Sequence, residues 1–337
     1  MNMTISEILK GCTPGKLQSV GYMQVIPLTS KEENSDIISP LKLQSSTSNY
    51  GSLHISNPDS GISIFPFGAG IVAKQAAQNH VTPKAVFVVG KTEVLISQAA
   101  CIQDTQGGTI SRGIHPMTIL PWSMKEAAIN TKDVSSYEKL WPVIREFNSE
   151  LGLTARGHLE YYLEKFKEEL DDFVAEFEVI PDQVGAIILM NGAVVGVERA
   201  PNVQYWKDLW GPLVREGYGS LVLQYRKKYG DNPPPPKTRV PLNAPNAQSL
   251  EDIEKALDIA IEKEDKIVKK VVRSFIKQKF ERDQEQAQTT QGKKLAIETV
   301  THAQFTGQIG TIDEKVVYAS LITKGSYLSD PSPEFTI

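Results

Sequence analysis

An α+β fold is predicted by three features of the chain. Short apolar runs cut up by Gly, Pro, Asn and Ser fill residues 1–120, an Asn-Gly hairpin lies near the middle, and a long amphipathic helix leads into closing strand segments. In the strand-rich N-terminal part, the runs at 20–28, 62–67, 85–89 and 94–96 have strand length and are bounded by turn residues. The sequence SKEENSD at 30–36 is a polar break, and the Gly68, Ala69, Gly70 step permits unusual backbone angles or close approach of another group. KAVFVVGKTEVLISQAACIQ reads as two strands about a turn at Gly90 and Lys91, with AVFVV apolar on both faces and therefore buried.

From 135 to 178 the period becomes helical: Leu140, Ile144 and Phe147, then Leu159, Tyr162, Leu163 and Phe166, broken at Gly152 and Gly157. Phe166, Leu170, Phe173, Val174 and Phe177 form a packing stripe. VGAIILMNGAVVGVE is a hairpin, because Asn191-Gly192 suits a type I′ turn between β-branched flanks. A helix over 205–227 carries Trp206 and Trp210 on one face, more readily core anchors than a stacking surface, and an interruption is expected near Gly217. The prolines of 231–248 impose an extended connector. Ser249 with Asp252 then makes a capping-box start for a helix over 250–280 that frays in ERDQEQAQTTQG. LAIETVTH, FTGQIGTI and KVVYASLI are the closing strands. The expected units are thus 1–130 strand-rich, 131–230 helix, hairpin and helix, 231–248 connector, 249–290 long helix, and 291–337 strands and tail. The last either stands apart or rejoins 20–230 in one discontinuous domain.

With 337 residues the chain is long enough for a sizeable core. A net charge of −4 lacks the footprint of a phosphate-backbone binder, so nucleic acid ranks last among partners, and Lys269, Lys270, Arg273, Lys277 and Lys279 read as a solvated helix face. Two cysteines, Cys12 and Cys101, are too few for a disulfide scaffold and fit a reducing cytoplasm. There is neither a signal-like N-terminus nor a run of about 18 apolar residues, so no membrane partner is expected.

No phosphate loop, GxGxxG, HExxH, GxSxG or CxxC occurs, and His54, His80, His115, His158 and His302 match no local metal signature, so no metal and no particular cofactor is assigned. What stands out is a polar constellation: Lys74, Gln75, Gln78, Asn79 and His80 after the glycine step, and Cys101, Gln103 and Asp104 after the 94–96 strand. If the strands between them pair as a hairpin, the two groups meet. Amides read sugar and base edges, and a lysine neutralises a phosphate. Lys74, Gln75, Asn79 and Gln103 are therefore the candidate ligand-binding residues, with His80, Cys101 and Asp104 the candidate catalytic ones. The same residues equally suit satisfied loop backbone, with Cys101 a small buried hydrophobe; a Cys101 nucleophile needs a depressed thiol pKa.

AKQAAQNHV, VLISQAACIQ, the VGAIILMNGAVVGVE hairpin, YWKDLWGPLVREGY and GTIDEKVVYASLI together resemble the ADP-ribosylglycohydrolase and rhodanese-phosphatase-superfamily-associated protein family over about residues 20–325. Lys74 and Gln75 match the family's Gly-Ala-Lys-Gln-Asn-Arg-like run, Asn79 and His80 its Asn-Arg after an insertion, and Cys101 the cysteine of its Cys-Val-Glu-like run. Gln103 stands where the family usually has glutamate, and no Arg-Trp follows Gly107 and Gly108. The resemblance implies a protein that binds or processes an ADP-ribose-like or NAD-derived nucleotide. The other expectation is a homo-oligomeric or protein-interaction subunit working through the long helix and the Trp206/Trp210 face, which Val271→Asp would break up.

Overall fold

The computed structural model describes residues 3–32, 34–73, 77–104, 107–231 and 249–329. Lys74, Gln75, the 232–248 part of the proline-rich connector and the C-terminal tail from 330 lie outside the described residues. The fold is α+β. Four strands open the chain: β1 (Met3–Thr4), β2 (Thr13–Pro14), β3 (Gln18–Val20) and β4 (Met23–Thr29), with the one-turn helix α1 (Ile5–Ile8) after β1. Nine short strands follow: β5 (Gln44–Ser46), β6 (Leu53–Ser56), β7 (Ser63–Phe65), β8 (Ala69–Ile71), β9 (His80–Val81), β10 (Val86–Val88), β11 (Glu93–Ile96), β12 (Ala100–Cys101) and β13 (Met117–Ile119). Helix α2 (Trp122–Asn130), not expected from the sequence, precedes the helical-period region, which holds α3 (Trp141–Glu150), α4 (Glu160–Lys165) and α5 (Lys167–Ala175).

The Asn-Gly hairpin forms as expected between β14 (Gln183–Met190) and β15 (Ala193–Arg199), with Asn191 at φ 49° and Gly192 at 86°, as a type I′ turn requires. Helix α6 (Val203–Pro212), a π-helical segment Leu213–Tyr218 and α7 (Gly219–Tyr229) make the interrupted helix. Trp206 and Trp210 are buried with ring centroids 5.3 Å apart, so they are core and offer no working surface. Helix α8 (Leu250–Ile276) starts at the Ser249/Asp252 capping box. It stops four residues short of the expected end. The segment expected to fray is instead β16 (Lys279–Thr290), which turns through Gln291 (φ 49°) and Gly292 (φ 77°) into β17 (Lys293–Thr301). Only its first two residues pair with β1, so among the described residues the rest lies at the sheet's edge, where polar residues need no apolar alternation. Strands β18 (Phe305–Ile312) and β19 (Lys315–Thr323) and the short α9 (Gly325–Ser329) complete the described chain.

One antiparallel sheet organises the molecule, in the order β1, β16, β17, β18, β19, β15, β14, β4, β2, with β3 also paired to β4. Strands from both ends of the chain thus share it. Alternate residues of its strands face two clusters. Ile187, Leu189, Val197, Ile309 and Leu321 meet α1 and the Val268, Val272, Phe275 stripe of α8, while Ala186, Ile188, Ile297, Tyr318 and Ile322 meet the short strands and α2–α7. Among the described residues no helix is long and apolar enough to cross a membrane.

The expected 85–96 hairpin does not form. Strand β10 pairs with β7 and β11 with β6 in separate sheets. The reason is the loop at 57–61: Lys91 donates its backbone N–H to Asn57 and Asp59 carbonyls, and a β-carbon on Gly90 would fall 2.4 Å from the Ser60 carbonyl oxygen. The two turns stack on each other, so each arm pairs across to the other turn's strand. Strand β10 is nonetheless buried at Phe87 and Val88 and is clamped to the large sheet by Gln286, whose side-chain amide bonds both the N–H (2.8 Å) and the carbonyl (3.3 Å) of Phe87.

Inside the second cluster lies an ion pair, Lys125 of α2 and Glu198 of β15, 3.6 Å apart with side chains 2% and 3% exposed. Tyr218 and Ser320 donate hydroxyls to the same carboxylate oxygen, at 2.8 and 3.1 Å, and the ammonium lies 5.8 and 5.7 Å from the ring centroids of Phe67 and Tyr218. The π-helical segment delivers Tyr218, and Gly196 makes room for it: a β-carbon there would sit 1.9 Å from the Tyr218 hydroxyl.

Candidate functional site

The sequence-predicted residues that the structure describes do meet, by a route other than the expected hairpin. Strands β9 and β12 pair directly with His80 opposite Cys101, and Ile102 donates its N–H to the Asn79 carbonyl. The junction gathers Asn79, His80, Cys101, Gln103 and Asp104.

His80 and Cys101 are committed to backbone. The Gly51 N–H donates to His80 Nε2 at 3.0 Å, so that nitrogen carries the lone pair and Nδ1–H faces the Gln78 carbonyl at 2.8 Å. With no exposed surface, the ring is pulled by burial to a pKa of about 4 and stays neutral. The Cys101 thiol donates to the Gln103 carbonyl at 3.2 Å and accepts from its N–H at 3.3 Å, and burial pushes it up to about 11. A cysteine nucleophile needs the opposite shift. Both side chains fix the shape of the junction.

Asn79, Gln103 and Asp104 point elsewhere. Asn79 is fully buried: its Oδ1 accepts from the Ala73 N–H (2.7 Å), its own N–H donates to Gln103 Oε1 (2.7 Å), and its Nδ2 donates to Glu160 Oε1 (2.5 Å). Asp104 anchors the chain before α4, taking the Gly157 N–H on Oδ2 at 2.9 Å, and an isolated antiparallel bridge joins Gln103 to His158. These contacts carry in Glu160, which the sequence did not single out, and His158, which it weighed only as a metal ligand. The Glu160 carboxylate is held below its usual range, chiefly by the His158 imidazole 3.3 Å away, with Gln103 and Asn79 hydrogen bonds helping against the burial that raises it. It is ionised at neutral pH, 19% exposed, and supplies a carboxylate to a network in which position 103 is an amide. The His158 ring lies 4.7 Å from the Tyr161 ring. The only sequence signal was indirect: two ionisable groups flanking Leu159 at the start of a helical pattern.

On residues of this network or next to it in sequence or space, four buried polar atoms have no partner among the described residues: Gln78 Oε1, Asp104 Oδ1, Asn148 Oδ1 and His158 Nδ1. Asn148 belongs to the same place, since its Nδ2 donates to the Arg156 and His158 carbonyls at 2.9 and 3.0 Å. Each such atom costs about 1–3 kcal/mol unless water or ligand satisfies it. An ionised carboxylate flanked by amides can accept from hydroxyl pairs and can act as a base on a bound water. Among the described residues no group of three His, Cys, Asp or Glu side chains is placed to hold a metal ion.

The family model described as ARPP-1, ARG and Rhodanese-Phosphatase-superfamily-associated Protein domain, matches residues 11–322. No curated protein and no solved structure matches the chain.

Proposed function

The chain belongs to the ARG and Rhodanese-Phosphatase-superfamily-associated Protein family, and from that premise we propose that it binds an ADP-ribose-like or NAD-derived nucleotide at the Asn79, Gln103 and Glu160 network. The family's description associates it with ARG, the ADP-ribosylglycohydrolases, which supports the ligand class. The observation that carries the site is an ionised carboxylate tied to Asn79, Gln103 and His158, with His158 Nδ1 and Asp104 Oδ1 buried and without partners among the described residues. In this reading Glu160 accepts from the ribose hydroxyls, as carboxylates do in dinucleotide sites. Asn79 and Gln103 hold Glu160 in place, and Asp104 offers a second acceptor. Lys74 and Gln75 are assigned to phosphate and ribose on sequence alone. If the ligand is turned over, Glu160 or Asp104 is the acid/base group, while His80 and Cys101 shape the junction.

The test is a thermal-shift panel of ADP-ribose, its phosphorylated forms and NAD on wild type and on Glu160→Gln. Ligand at a hundred times its Kd adds about 2.7 kcal/mol to native stability. A shift in wild type that Glu160→Gln abolishes supports the site, and a panel without any shift overturns it.

One observation favours a second reading, self-association through α8. Leu250, Ile253, Leu257 and Ile261 form an exposed apolar ridge on the N-terminal half of that helix. Val271, by contrast, packs against the cluster beneath α8, so Val271→Asp would test folding. Leu257→Asp with Ile261→Asp is the informative pair: a mass that falls from dimer to monomer supports this reading, and a wild type monomeric at high concentration removes it.

A further inference from the structure

We propose that the groove beside the last two turns of α7 binds an aromatic anion, a planar ring carrying a phosphate or carboxylate. It shares no residue with the Asn79, Gln103 and Glu160 network and stands independently of the function assigned there. The groove has a volume of about 410 Å³, bounded by Trp122 at the start of α2, Leu221, Tyr225 and Tyr229 of α7, and Leu328 of α9. That is within the usual range of about 300–1,000 Å³ for ligand pockets, at the end that suits one ring system with an anionic substituent.

Its walls and its rim differ in chemistry. Trp122 and Leu221 are buried, and Tyr225 continues a line of rings from Tyr22 (5.6 Å) to Tyr229 (5.5 Å). Tyr229, at the end of that line, is 52% exposed. Such a stepped aromatic surface offers a ring offset stacking on one side. At the rim, Lys227 and Lys228 are both exposed. Their neighbour Arg226 is neutralised by Glu169 and Asp231, whereas neither lysine has a carboxylate within ion-pair distance among the described residues. Lys228 lies over the Tyr229 ring, 5.1 Å from its centroid. The one carboxylate among the described lining residues, Glu150, accepts from Gln224 at 2.7 Å. The described lining thus carries two lysines and one carboxylate beside an apolar floor. Complementing the C-terminal dipole of α7 accounts for cations in its last turn; it does not account for a cavity lined with aromatic rings between them.

Adenosine monophosphate and 1-naphthoate are the two probes, which separate phosphate from carboxylate sources, titrated into the full chain by calorimetry and by tryptophan fluorescence. Expected are saturable binding of at least one probe, weaker binding of adenosine, and a loss of roughly tenfold, about 1.4 kcal/mol, in Lys227→Glu/Lys228→Glu. Tyr229→Ala also weakens the probe, and Glu160→Gln leaves 1-naphthoate binding, which is no nucleotide, unchanged. Failure of both probes to saturate overturns the proposal, as does equal affinity in the lysine variant. Binding lost in Glu160→Gln but kept in the lysine variant assigns the probe to the other site and likewise overturns this one.

Discussion

Lys125 and Glu198 face each other inside the core with every charged group answered, whereas Glu160 sits at a junction where His158 and Asp104 keep buried polar atoms that nothing in the described chain satisfies. Both sets tie distant segments together and both are mostly buried. One is closed: carboxylate, ammonium, two hydroxyls and two rings complete one another. The other is open, its carboxylate partly exposed and ionised, its surroundings short of partners. A closed set contributes to the uniqueness of the fold, and an open one keeps hydrogen-bonding capacity for something that arrives.

Breaking the closed set has the largest expected effect. Glu198→Ala leaves the Lys125 ammonium buried and unpaired, which costs about 3–5 kcal/mol in a urea unfolding curve. Replacing both partners, Lys125→Met with Glu198→Leu, recovers much of that loss. A cost below about 1 kcal/mol for Glu198→Ala alone would erase the contrast between the clusters.

Acid acts next, on the junction. The pKa of His80 is lowered from 6.5 to about 4 by burial, so between those values the unfolded chain holds a proton that the native chain does not. Stability therefore rises with pH in this window; the contribution is present above about 6.5 and lost as pH falls towards 4, about 3 kcal/mol in all. Comparing unfolding free energies of wild type and His80→Gln from pH 7.5 to 4.5 isolates that slope, and parallel curves count against the buried neutral ring.

Gly196→Ala tests how tightly the closed set is packed. Its methyl displaces the Tyr218 hydroxyl from Glu198, with an expected loss of about 1–3 kcal/mol, and Tyr218→Phe on the same background relieves part of the clash. Smallest is Glu160→Gln, which keeps the shape of the side chain at a partly exposed position and shifts unfolding by less than about 1 kcal/mol. A large loss there would make Glu160 a structural residue like Glu198 and blur the distinction.

Legibility in the sequence followed the range of the signal. The Asn191-Gly192 turn, the Ser249/Asp252 cap, the interruption near Gly217 and the closing strands rest on residues one to four apart, and each appears where expected. The partners of β10 and β11 depend on the 57–61 loop, some 30 residues away, and β16 becomes a strand because β17 pairs with it. Asn79, Gln103 and Asp104 were visible as polar residues in an apolar region. Glu160 was not, because its place beside Asn79, 81 positions earlier, is created by the bridge between Gln103 and His158.

The large sheet also imposes an order of assembly on the growing chain. Strand β15 pairs on one side with β14, its immediate neighbour in sequence, and on the other with β19, more than a hundred residues later. Until residues 315–323 are made, β15 lacks the strand that covers its second edge, which leaves a row of unpaired N–H and C=O groups. Such late, long-range pairing slows folding and prolongs exposure to misassembly. A transcript cut short within the last four strands should therefore yield a chaperone client rather than a smaller stable protein.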